Sequence, residues 1–433
     1  MEGGTTKITG EVKISRARVF EIENEAKNIL DFKAKIKEYL ESPVTELLDI
    51  ILAGAINLEA SDIHIEPEKE RAKMRIRIDG ILQDVLFFDL AVYKSLLSRI
   101  KLLSGIKLNV FDRPQDGRFS ILMKKSAIEI RVSTLPAEYG ESIVLRILNP
   151  KNLIELEALG LRKDLLSIVK REIKRPNGMI IVTGPTGCGK TTTLYAFLKK
   201  IQRPEIKIIT IEDPIEYHLE GISQTQVAPE KGYDFASGLK SIMRQDPDVI
   251  LVGEIRDLET VKTALQAALT GHLVLTTLHT NDAAGVVARL TSLGAKTSNI
   301  APALNIVIAQ RLVRKVCQKC QKLEKLLPND FKKIKNELGS FKKKDFKLSK
   351  DIKVPKAVGC KECNFTGYKG RTGIFEIFLV DDEMERFILK NPSIADLRKR
   401  AIEKGMITMK QDGLIKVLEG ITTIEEVERV TGE

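Results

Sequence analysis

A glycine-rich loop followed by lysine and threonine is the strongest chemical signal in the sequence. Gly184, Gly189, Lys190 and Thr191 have the G-x-x-x-x-G-K-[ST] spacing of a phosphate loop, after an apolar stretch and before a helical one. Backbone N–H groups of such a loop wrap a phosphate, the lysine reaches the β- and γ-phosphates, and the threonine hydroxyl binds Mg²⁺. The sequence therefore predicts a site that binds and hydrolyses ATP with Mg²⁺. Its predicted nucleotide-binding residues are Gly184, Pro185, Thr186, Gly187, Cys188 (a variable position, assigned no chemistry), Gly189, Lys190, Thr191 and Thr192.

Acidic residues follow two further apolar stretches. DVILVGE ends at Glu254, which suits a carboxylate associated with Mg²⁺. TIEDPIE places Glu212, Asp213 and Glu216 just after another strand. Because ligands of open parallel sheets gather at the carboxyl ends of strands, three acids there indicate a site better than they indicate an ordinary surface.

Two of the four histidines, His272 and His279, flank the apolar stretch LVLTTL. A separation of seven residues on a strand puts the side chains on opposite faces, so the two rings need not touch. Each alone could be a hydrogen-bonded structural histidine. Near the predicted phosphate site, a sensing or coupling role is favoured.

The cysteines form two CxxC pairs, apart from Cys188. Cys317 with Cys320 and Cys360 with Cys363 offer four soft ligands, which is the pattern of a tetrahedral structural Zn²⁺ site. A redox role is the alternative, and two CxxC pairs in one small module argue against it. Between the pairs, twelve Lys stand against five acidic residues, and this exposed stretch either faces an anionic lipid or acidic partner or is simply solvated.

The elements that must position these residues follow from the apolar patterns. Over 177–315, short apolar strands alternate with helical stretches, which indicates an α/β domain with a parallel sheet covered on both faces. Residues 42–150 combine helices with alternating strands and predict an α+β domain. Residues 1–41 form a helical N-terminal extension, interpreted as a solvated arm. The other predicted segments are a linker at 151–176, a tetracysteine module at 316–373 and a C-terminal helical subdomain at 374–433.

Length and charge narrow the function classes. A chain of 433 residues exceeds one hydrophobic core and should form two or three domains. The net charge is +11, but aromatic residues are only 5%, which argues against a nucleic-acid binder. No stretch approaches the roughly 18 to 20 apolar residues that span a bilayer, and the N-terminus lacks the apolar segment of a signal peptide. The expected location is the cytoplasm, with at most peripheral membrane contact.

Taken together, four motifs identify a family. GPTGCGKTTT, IEDPIEY, RQDPDVILVGEIRD and GHLVLTTLHTNDA, in this order, resemble the secretion ATPase superfamily that drives type II secretion and type IV pilus assembly. ASDIHIEP, RVSTLP and GESIVLR resemble the N-terminal domain of the same family, so the resemblance covers the chain from about residue 42 to its end. It implies an α/β fold: a RecA-like P-loop ATPase domain, an N-terminal α+β domain of PAS-like type and a small tetracysteine zinc module. Assembly and secretion members carry this cysteine insert, whereas retraction members lack it.

The resemblance also implies roles by position. Glu216 matches the catalytic glutamate that activates water, Glu254 the Walker B glutamate, and His272 with His279 the histidine box. The implied catalytic residues are Lys190, Glu216, Glu254, Arg131, Arg146, His272 and His279. The two arginines match residues that reach the phosphates of a nucleotide held by the other domain. The further implied nucleotide-site residues are Glu212, Asp213, Arg244, Arg256, Arg289 and Arg371.

The resemblance finally implies an assembly. We expect a homohexamer that acts with an inner-membrane platform protein and a cytoplasmic domain of a membrane-docking protein, and indirectly on pilin-like subunits. Many members have an additional globular domain before the matching region, whereas this chain has only about 41 residues there. Three alternatives stay open: a type IV or competence pilus motor, a nucleic-acid motor, and a non-catalytic scaffold.

Overall fold

The computed structural model describes residues 10–123, 126–339, 349 and 351–432. The lysine-rich stretch between the cysteine pairs, predicted to be an exposed loop, falls in part on residues outside these ranges. Its described part is not a loop, because it forms a helix at Pro328–Leu338, with Ile334 buried, and paired strands at Lys322–Lys325 and Lys353–Lys356.

The chain divides into two compact units. The four paired cysteines do not form a separate module, as the predicted segments had it, but group with the N-terminal residues. The N-terminal unit contains the chain up to Asn152 together with Cys317–Gln321 and Ala357–Gly370, and the ATPase unit contains Leu153–Val316, Lys322–Lys356 and Arg371–Glu433.

The N-terminal unit is an α+β domain built on one seven-stranded sheet. Its elements are β1 (Glu11–Val12), α1 (Arg16–Glu25), α2 (Ile29–Glu38), α3 (Val44–Asn57), β2 (Asp62–Pro67), β3 (Arg71–Ile78), β4 (Ile81–Asp89), α4 (Leu90–Leu103), β5 (Gln115–Met123), β6 (Ser126–Ala137) and β7 (Gly140–Leu148). The strand order is β1-β5-β6-β7-β2-β3-β4, and every pair is antiparallel except β1 with β5.

Strand β3 shows how alternation builds this sheet. Met74 and Ile76 are fully buried, whereas Arg75 and Arg77, which alternate with them, stay partly exposed. The predicted strand with one wet face is therefore confirmed, since successive side chains point to opposite faces. The apolar face joins α3 and α4 in one continuous core.

The N-terminal helices α1 and α2 belong to that core. Phe32 and Ile36 are completely buried, and Ile22 is nearly so. The ring of Phe32 lies against Gly54 of α3, where an added Cβ would come within 2.1 Å of a ring atom. The interpretation of residues 1–41 as a solvated arm is thus wrong for α1 and α2, because glycine on α3 leaves a recess that the Phe32 ring fills.

The ATPase unit is an α/β domain, as predicted. Its elements are α5 (Lys163–Glu172), β8 (Gly178–Thr183), α6 (Lys190–Ile201), β9 (Ile208–Glu212), β10 (Ser223–Gln226), α7 (Phe235–Met243), β11 (Val249–Val252), α8 (Leu258–Leu269), β12 (Leu273–Leu278), α9 (Gly285–Ser292), α10 (Thr297–Ala303), β13 (Leu304–Val316), β14 (Lys322–Lys325), α11 (Pro328–Leu338), β15 (Lys353–Lys356), β16 (Tyr368–Leu379), α12 (Asp382–Leu389), α13 (Ile394–Glu403), α14 (Met409–Leu418) and α15 (Ile424–Thr431).

One seven-stranded sheet organises this unit, in the order β10-β9-β11-β12-β8-β13-β16. The pairs from β10 through β13 are all parallel, so their carboxyl ends meet at one edge. Strands β8, β9, β11 and β12 are buried along their whole length, which is typical of a sheet with both faces covered. A separate antiparallel pair joins β14 to β15.

The sequence did not predict β16. The tail from Phe375 was expected to be helical, but Phe375–Leu379 continue the sheet before helices α12 to α15 begin. Phe375, Ile377 and Phe378 are buried there, and a short apolar run does not by itself distinguish a strand from a buried helix.

The helices of both units are short. The longest described ones, α3 and α4, have 14 residues each. Within the described part of the chain, no helix combines the length and apolar character needed to cross a bilayer.

Candidate functional site

The phosphate loop connects the buried strand β8 to helix α6. Gly184 and Gly189 have φ values of 148° and 88°, which an L side chain rarely adopts. At Gly184 an added Cβ would also come within 2.6 Å of the Cys188 sulfur. Helix α6 begins at Lys190, and the preceding Gly189 provides no side-chain cap for the first N–H groups. The loop therefore has the backbone shape, and the start of α6 lacks the side-chain cap, that suit phosphate binding by N–H groups.

Lys190 lies against this loop. Its Nζ donates to the carbonyl oxygens of Gly184, at 2.9 Å, and Pro185, at 3.1 Å. Burial lowers the pKa of Lys190, whereas the nearby negative charge of Glu254 acts in the opposite direction. Thr191 follows on the exposed start of α6, and Cys188 is buried beneath the loop. The structure thus brings the predicted lysine and the predicted Walker B glutamate into one electrostatic neighbourhood.

Glu254 stands just beyond the carboxyl end of β11. Its carboxylate forms an ion pair with Arg256, and the other oxygen lies 3.4 Å from Nε2 of His279. The hydrogen bond to Glu254 raises the pKa of Arg256, and the charge of Asp213 adds to this effect. Four predicted residues from three neighbouring strand ends therefore form one cluster, as expected for the carboxyl edge of a parallel sheet.

The acids after β9 have different environments. Glu212 is buried, and its carboxylate accepts hydrogen bonds from Thr210, at 2.6 Å, from Gln224, at 3.1 Å, and from the Tyr195 hydroxyl. Burial raises the pKa of Glu212, those hydrogen bonds lower it in part, and the charge of Glu216 raises it again. The carboxylate of Glu212 is therefore fixed in the interior by three side-chain hydrogen bonds.

Tyr195 is a residue beside the candidate site that the sequence did not reveal. It lies on α6, is almost completely buried, and its hydroxyl joins Glu212 to the backbone of Glu216 and Tyr217. Its ring meets that of Tyr217 edge to face, with 6.4 Å between centroids. The helix that follows the phosphate loop thus holds the chain segment that carries Glu216. A tyrosine after the motif has no special spacing, so no sequence signal indicated this contact.

The two histidines occupy opposite ends of β12. His279 follows the carboxyl end and contacts Glu254, whereas His272 precedes the amino end, where Nδ1 lies 3.0 Å from the carbonyl oxygen of Ala267. Six strand residues separate them, a distance of roughly 20 Å. The structure therefore brings only one of the predicted pair to the carboxyl edge of the sheet.

The predicted arginines are dispersed. Arg256 joins the Glu254 cluster, and Arg289 is exposed on α9. Arg244 ends α7, where it bonds the carbonyl oxygen of Lys240 and the hydroxyl of Ser241. Arg371 is exposed on β16.

The N-terminal unit holds the remaining two predicted arginines in one row. Arg131 on β6 is the direct cross-strand neighbour of Arg118 on β5 and of Arg146 on β7. Asp62 on β2 continues the row and accepts from Nε of Arg146 at 3.1 Å. Arg131 also pairs with Glu129 on the same strand at 3.4 Å, so neighbouring carboxylates partly balance the charge of the three adjacent arginines.

The four predicted metal ligands converge. The Sγ atoms of Cys317, Cys320, Cys360 and Cys363 all lie within 4.8 Å of one another. Neighbouring sulfurs are 4.0, 3.9 and 3.8 Å apart, far beyond the roughly 2.05 Å of a disulfide. A tetrahedral zinc ion with bonds of about 2.3 Å requires sulfurs about 3.8 Å apart. The cluster therefore has the size of a Zn²⁺ site.

Backbone donors support the same cluster. The N–H groups of Cys360 and Gly367 point at Sγ of Cys363, at 3.2 and 3.3 Å, and the N–H of Gly359 points at Sγ of Cys320, at 3.3 Å. Burial and the neighbouring thiols raise the pKa of Cys320 to about 12, although the Gly359 N–H opposes them. Burial alone would also raise the pKa of Cys363, but the two N–H groups lower it. Such outer donors orient metal ligands and favour their thiolate form.

The cysteine segments are tied to the N-terminal unit. Asn364 accepts a hydrogen bond from the N–H of Ile29 at 2.7 Å, and the N–H of Gly370 donates to the carboxylate of Asp79 at 2.7 Å. Asp79 has a positive φ in the turn between β3 and β4. The tetracysteine module is therefore built onto that unit, although the sequence places it after the ATPase strands.

Comparisons with known proteins agree with this architecture. The family model described as type II/IV secretion system protein matches residues 37–429. The type II secretion system ATPase E of Vibrio cholerae is 44% identical over 395 residues, which cover 91% of this chain and 76% of that protein. The type IV pilus assembly ATPase PilB of Myxococcus xanthus is 38% identical over 413 residues, which cover 94% and 71%. The crystal structure of the pilus retraction motor PilT with bound ADP superposes with a TM-score of 0.58 at 28% identity, covering 88% of this chain and 95% of that one.

Proposed function

The chain belongs to the type II/IV secretion system protein family, and from this premise we propose that it is the ATPase motor of a type II protein secretion system. The observation that carries the proposal is the cluster at the carboxyl edge of the ATPase sheet. There Lys190 of the phosphate loop lies in the field of Glu254, which also contacts Arg256 and His279.

In the proposed reaction, ATP gives up its γ-phosphate to water. The loop N–H groups and Lys190 bind the β- and γ-phosphates, and Thr191 and Glu254 are the residues that would hold Mg²⁺. When bound, Mg²⁺ would neutralise charge on the phosphate oxygens. Glu216 orients the attacking water and takes its proton, while the buried Tyr195–Glu212 pair keeps its segment in place.

The arginines supply positive charge for the phosphates. Arg131 and Arg146 are proposed for this role because they form a cationic row on the N-terminal sheet. Phosphoryl transfer is largely a matter of positioning and of charge stabilisation, so arginines that reach the γ-phosphate could control the rate. Arg244, Arg256, Arg289 and Arg371 are proposed as further nucleotide-site residues. His272, far from Glu254, is proposed to couple nucleotide state to the other end of β12.

The tetracysteine cluster is proposed to hold a structural Zn²⁺. With four thiolate ligands the metal would have no open coordination position, so it would stabilise the module and take no part in hydrolysis. The motor itself is proposed to be a homohexamer in the cytoplasm. It would contact the inner membrane peripherally, through a platform protein and a docking protein, and drive assembly of pilin-like subunits.

Type IV pilus assembly is the second candidate, favoured by the 38% identity with PilB of Myxococcus xanthus. The two candidates differ in what the cell loses. A deletion strain that lacks secreted proteins but keeps surface pili supports type II secretion, and the opposite result supports pilus assembly. Intact secretion and intact pili would contradict both.

Turnover itself is tested with Glu216→Gln in the full chain. We expect this variant to bind a fluorescent ATP analogue like wild type and to lose release of inorganic phosphate, because an amide cannot accept the proton of water. Glu220→Gln, at an exposed position of the same segment, is the control and should hydrolyse ATP normally. Normal turnover in Glu216→Gln would refute its role, and a wild-type chain without turnover would refute the ATPase proposal.

A further inference from the structure

Gln310 is a completely enclosed polar residue beside the phosphate loop. It lies on β13, which pairs in parallel with β8. The last pair is Ala309 with Thr183, so Gln310 lies beside the point where the phosphate loop leaves β8. Its exposure is only 2%. A buried amide far from water must find partners in the protein, and the partners it has decide what it holds.

Both ends of the Gln310 side chain are bonded to the nucleotide-binding segment. Nε2 donates to the carbonyl oxygen of Cys188 at 2.7 Å, and Oε1 accepts from the hydroxyl of Thr193 at 2.8 Å. The orientation of the amide follows from the chemistry, since a carbonyl oxygen only accepts. One side chain from a strand far along the chain, but adjacent to β8 in the sheet, thus links the loop to the first turns of α6.

The bond to Cys188 determines where the next N–H points. The carbonyl of Cys188 and the N–H of Gly189 belong to one planar trans peptide, so they point in opposite directions. Gly189, with φ at 88°, would tolerate rotation of this peptide because it has no Cβ. Rotation would turn a carbonyl oxygen toward the phosphates in place of a donor. By donating to the carbonyl oxygen of Cys188, Gln310 keeps the N–H of Gly189 pointing the opposite way.

The neighbouring residue extends the link to the segment after β12. Arg311 donates to the carbonyl oxygen of Asn281 at 2.9 Å, and a second guanidinium nitrogen donates to the carbonyl oxygen of Gln310 at 3.1 Å. Asn281 lies two residues beyond His279. The backbone at Gln310 is therefore itself held in place.

We propose that Gln310 is a positioning residue of the nucleotide site: it locks the Cys188–Gly189 peptide so that the loop presents its N–H groups to phosphate. This inference rests on the proposed function, because it assumes that the loop binds nucleotide. A fixed peptide orientation helps the loop bind phosphate equally in the bound nucleotide and in the transition state of hydrolysis. Its loss should therefore raise KM and the Kd for nucleotide more than it lowers kcat.

The test replaces the amide by an apolar chain of similar length, Gln310→Met. We expect the Kd for a fluorescent ADP analogue with Mg²⁺, measured on the full chain, to rise about tenfold, since a buried hydrogen-bond pair is lost. Gln411→Met is the matched control. Gln411 is also buried and also donates to a carbonyl, that of Glu337 at 2.8 Å, but in the C-terminal helices. The control should keep the wild-type Kd as long as the chain folds.

A second pair protects the test against a variant that does not fold. Thr193→Val removes the hydroxyl that Gln310 accepts from, whereas Thr193→Ser keeps it. We expect Thr193→Val to weaken nucleotide binding severalfold and Thr193→Ser to restore it. Equal Kd values for Gln310→Met and wild type, or for Thr193→Val and Thr193→Ser, would overturn the inference. A wild-type chain that fails to bind the analogue would instead overturn the proposed function.

Discussion

Nε2 of His279 lies 3.4 Å from a carboxylate oxygen of Glu254, where β11 and β12 end side by side. A histidine there can hold the glutamate in position and respond to changes in its charge. His272 precedes the first residue of the same strand, and its ring Nδ1 lies 3.0 Å from the carbonyl oxygen of Ala267. The two residues thus give an experiment with an internal control.

His279→Ala should lower ATP turnover by about tenfold while leaving nucleotide binding nearly unchanged, because it frees Glu254 from one of its partners. His272→Ala should leave nucleotide binding by the isolated protein unchanged. Steady-state phosphate release and equilibrium binding measure the two effects. In a Glu254→Gln background the His279 substitution should add little, and fully independent effects would argue against the contact.

If the four clustered cysteines hold zinc as proposed, the number of zinc ions per chain is predicted. Wild-type protein should contain about one Zn²⁺ per chain, and Cys363→Ser should reduce this strongly because Cys363 lies between two other ligands. Cys188→Ser is the control, since this buried thiol belongs to the phosphate loop. Elemental analysis of the purified variants measures the metal. Retained zinc in Cys363→Ser, or lost zinc in Cys188→Ser, would contradict the assignment.

Two phenylalanines test the packing of the N-terminal helices. Phe32 is fully buried against Gly54, whereas Phe20 is 70% exposed on α1. Phe32→Ala should lower the free energy of unfolding by about 3 to 5 kcal/mol, because it removes a ring and leaves a cavity. Phe20→Ala should change it by less than about 0.5 kcal/mol. Denaturant unfolding of both variants measures the difference, and similar small losses would mean that α1 and α2 do not join the core.

Glu426 predicts how stability depends on pH. Burial would raise its pKa, but hydrogen bonds from Arg429 and Arg314 outweigh burial and lower the pKa to about 2. A carboxyl with a depressed pKa in the folded state stabilises the fold above its unfolded value, here 4.5, and this contribution is lost as pH falls toward 2. The contribution at neutral pH is about 3 kcal/mol at most.

Glu426→Gln should therefore destabilise the protein at pH 7, and the deficit should shrink below pH 5. Glu425→Gln changes an exposed neighbour on the same helix and should have almost no effect. Unfolding free energies measured from pH 7 to the acid limit of the fold report both. A deficit that stays constant over this range would show that the carboxylate charge contributes nothing.

The phosphate loop and the cluster of four cysteines could be predicted from the sequence because their patterns are local. Gly189 and Lys190 are adjacent, and each CxxC pair lies within one turn of chain. The buried strands β8, β9, β11 and β12 could be predicted too, since a fully buried strand is a short apolar run between polar segments.

The residues that hold the site in place could not be predicted. Gln310 meets Cys188 only because β13 aligns with β8, and Tyr195 meets Glu212 only because α6 packs on the sheet. Neither residue type signals such a role by spacing. Likewise, the apolar stripe of α2 could have faced solvent, and the decisive partner, Gly54, is an unremarkable glycine within another helix.

The two cysteine segments of the N-terminal unit follow most of the ATPase strands in the sequence, so the gene encodes this unit in separate pieces. A single crossover in the gene near codon 152 would split the N-terminal unit between two parents. Residues up to 152 would then come from one parent, and the cysteine segments with Asn364 and Gly370 from the other. Gene fragments that encode contiguous domains can be shuffled one at a time, but these two units interleave along the chain. They are therefore expected to pass between genomes as one length of coding sequence, which keeps Asn364 and Asp79 with the backbone N–H groups that they accept from.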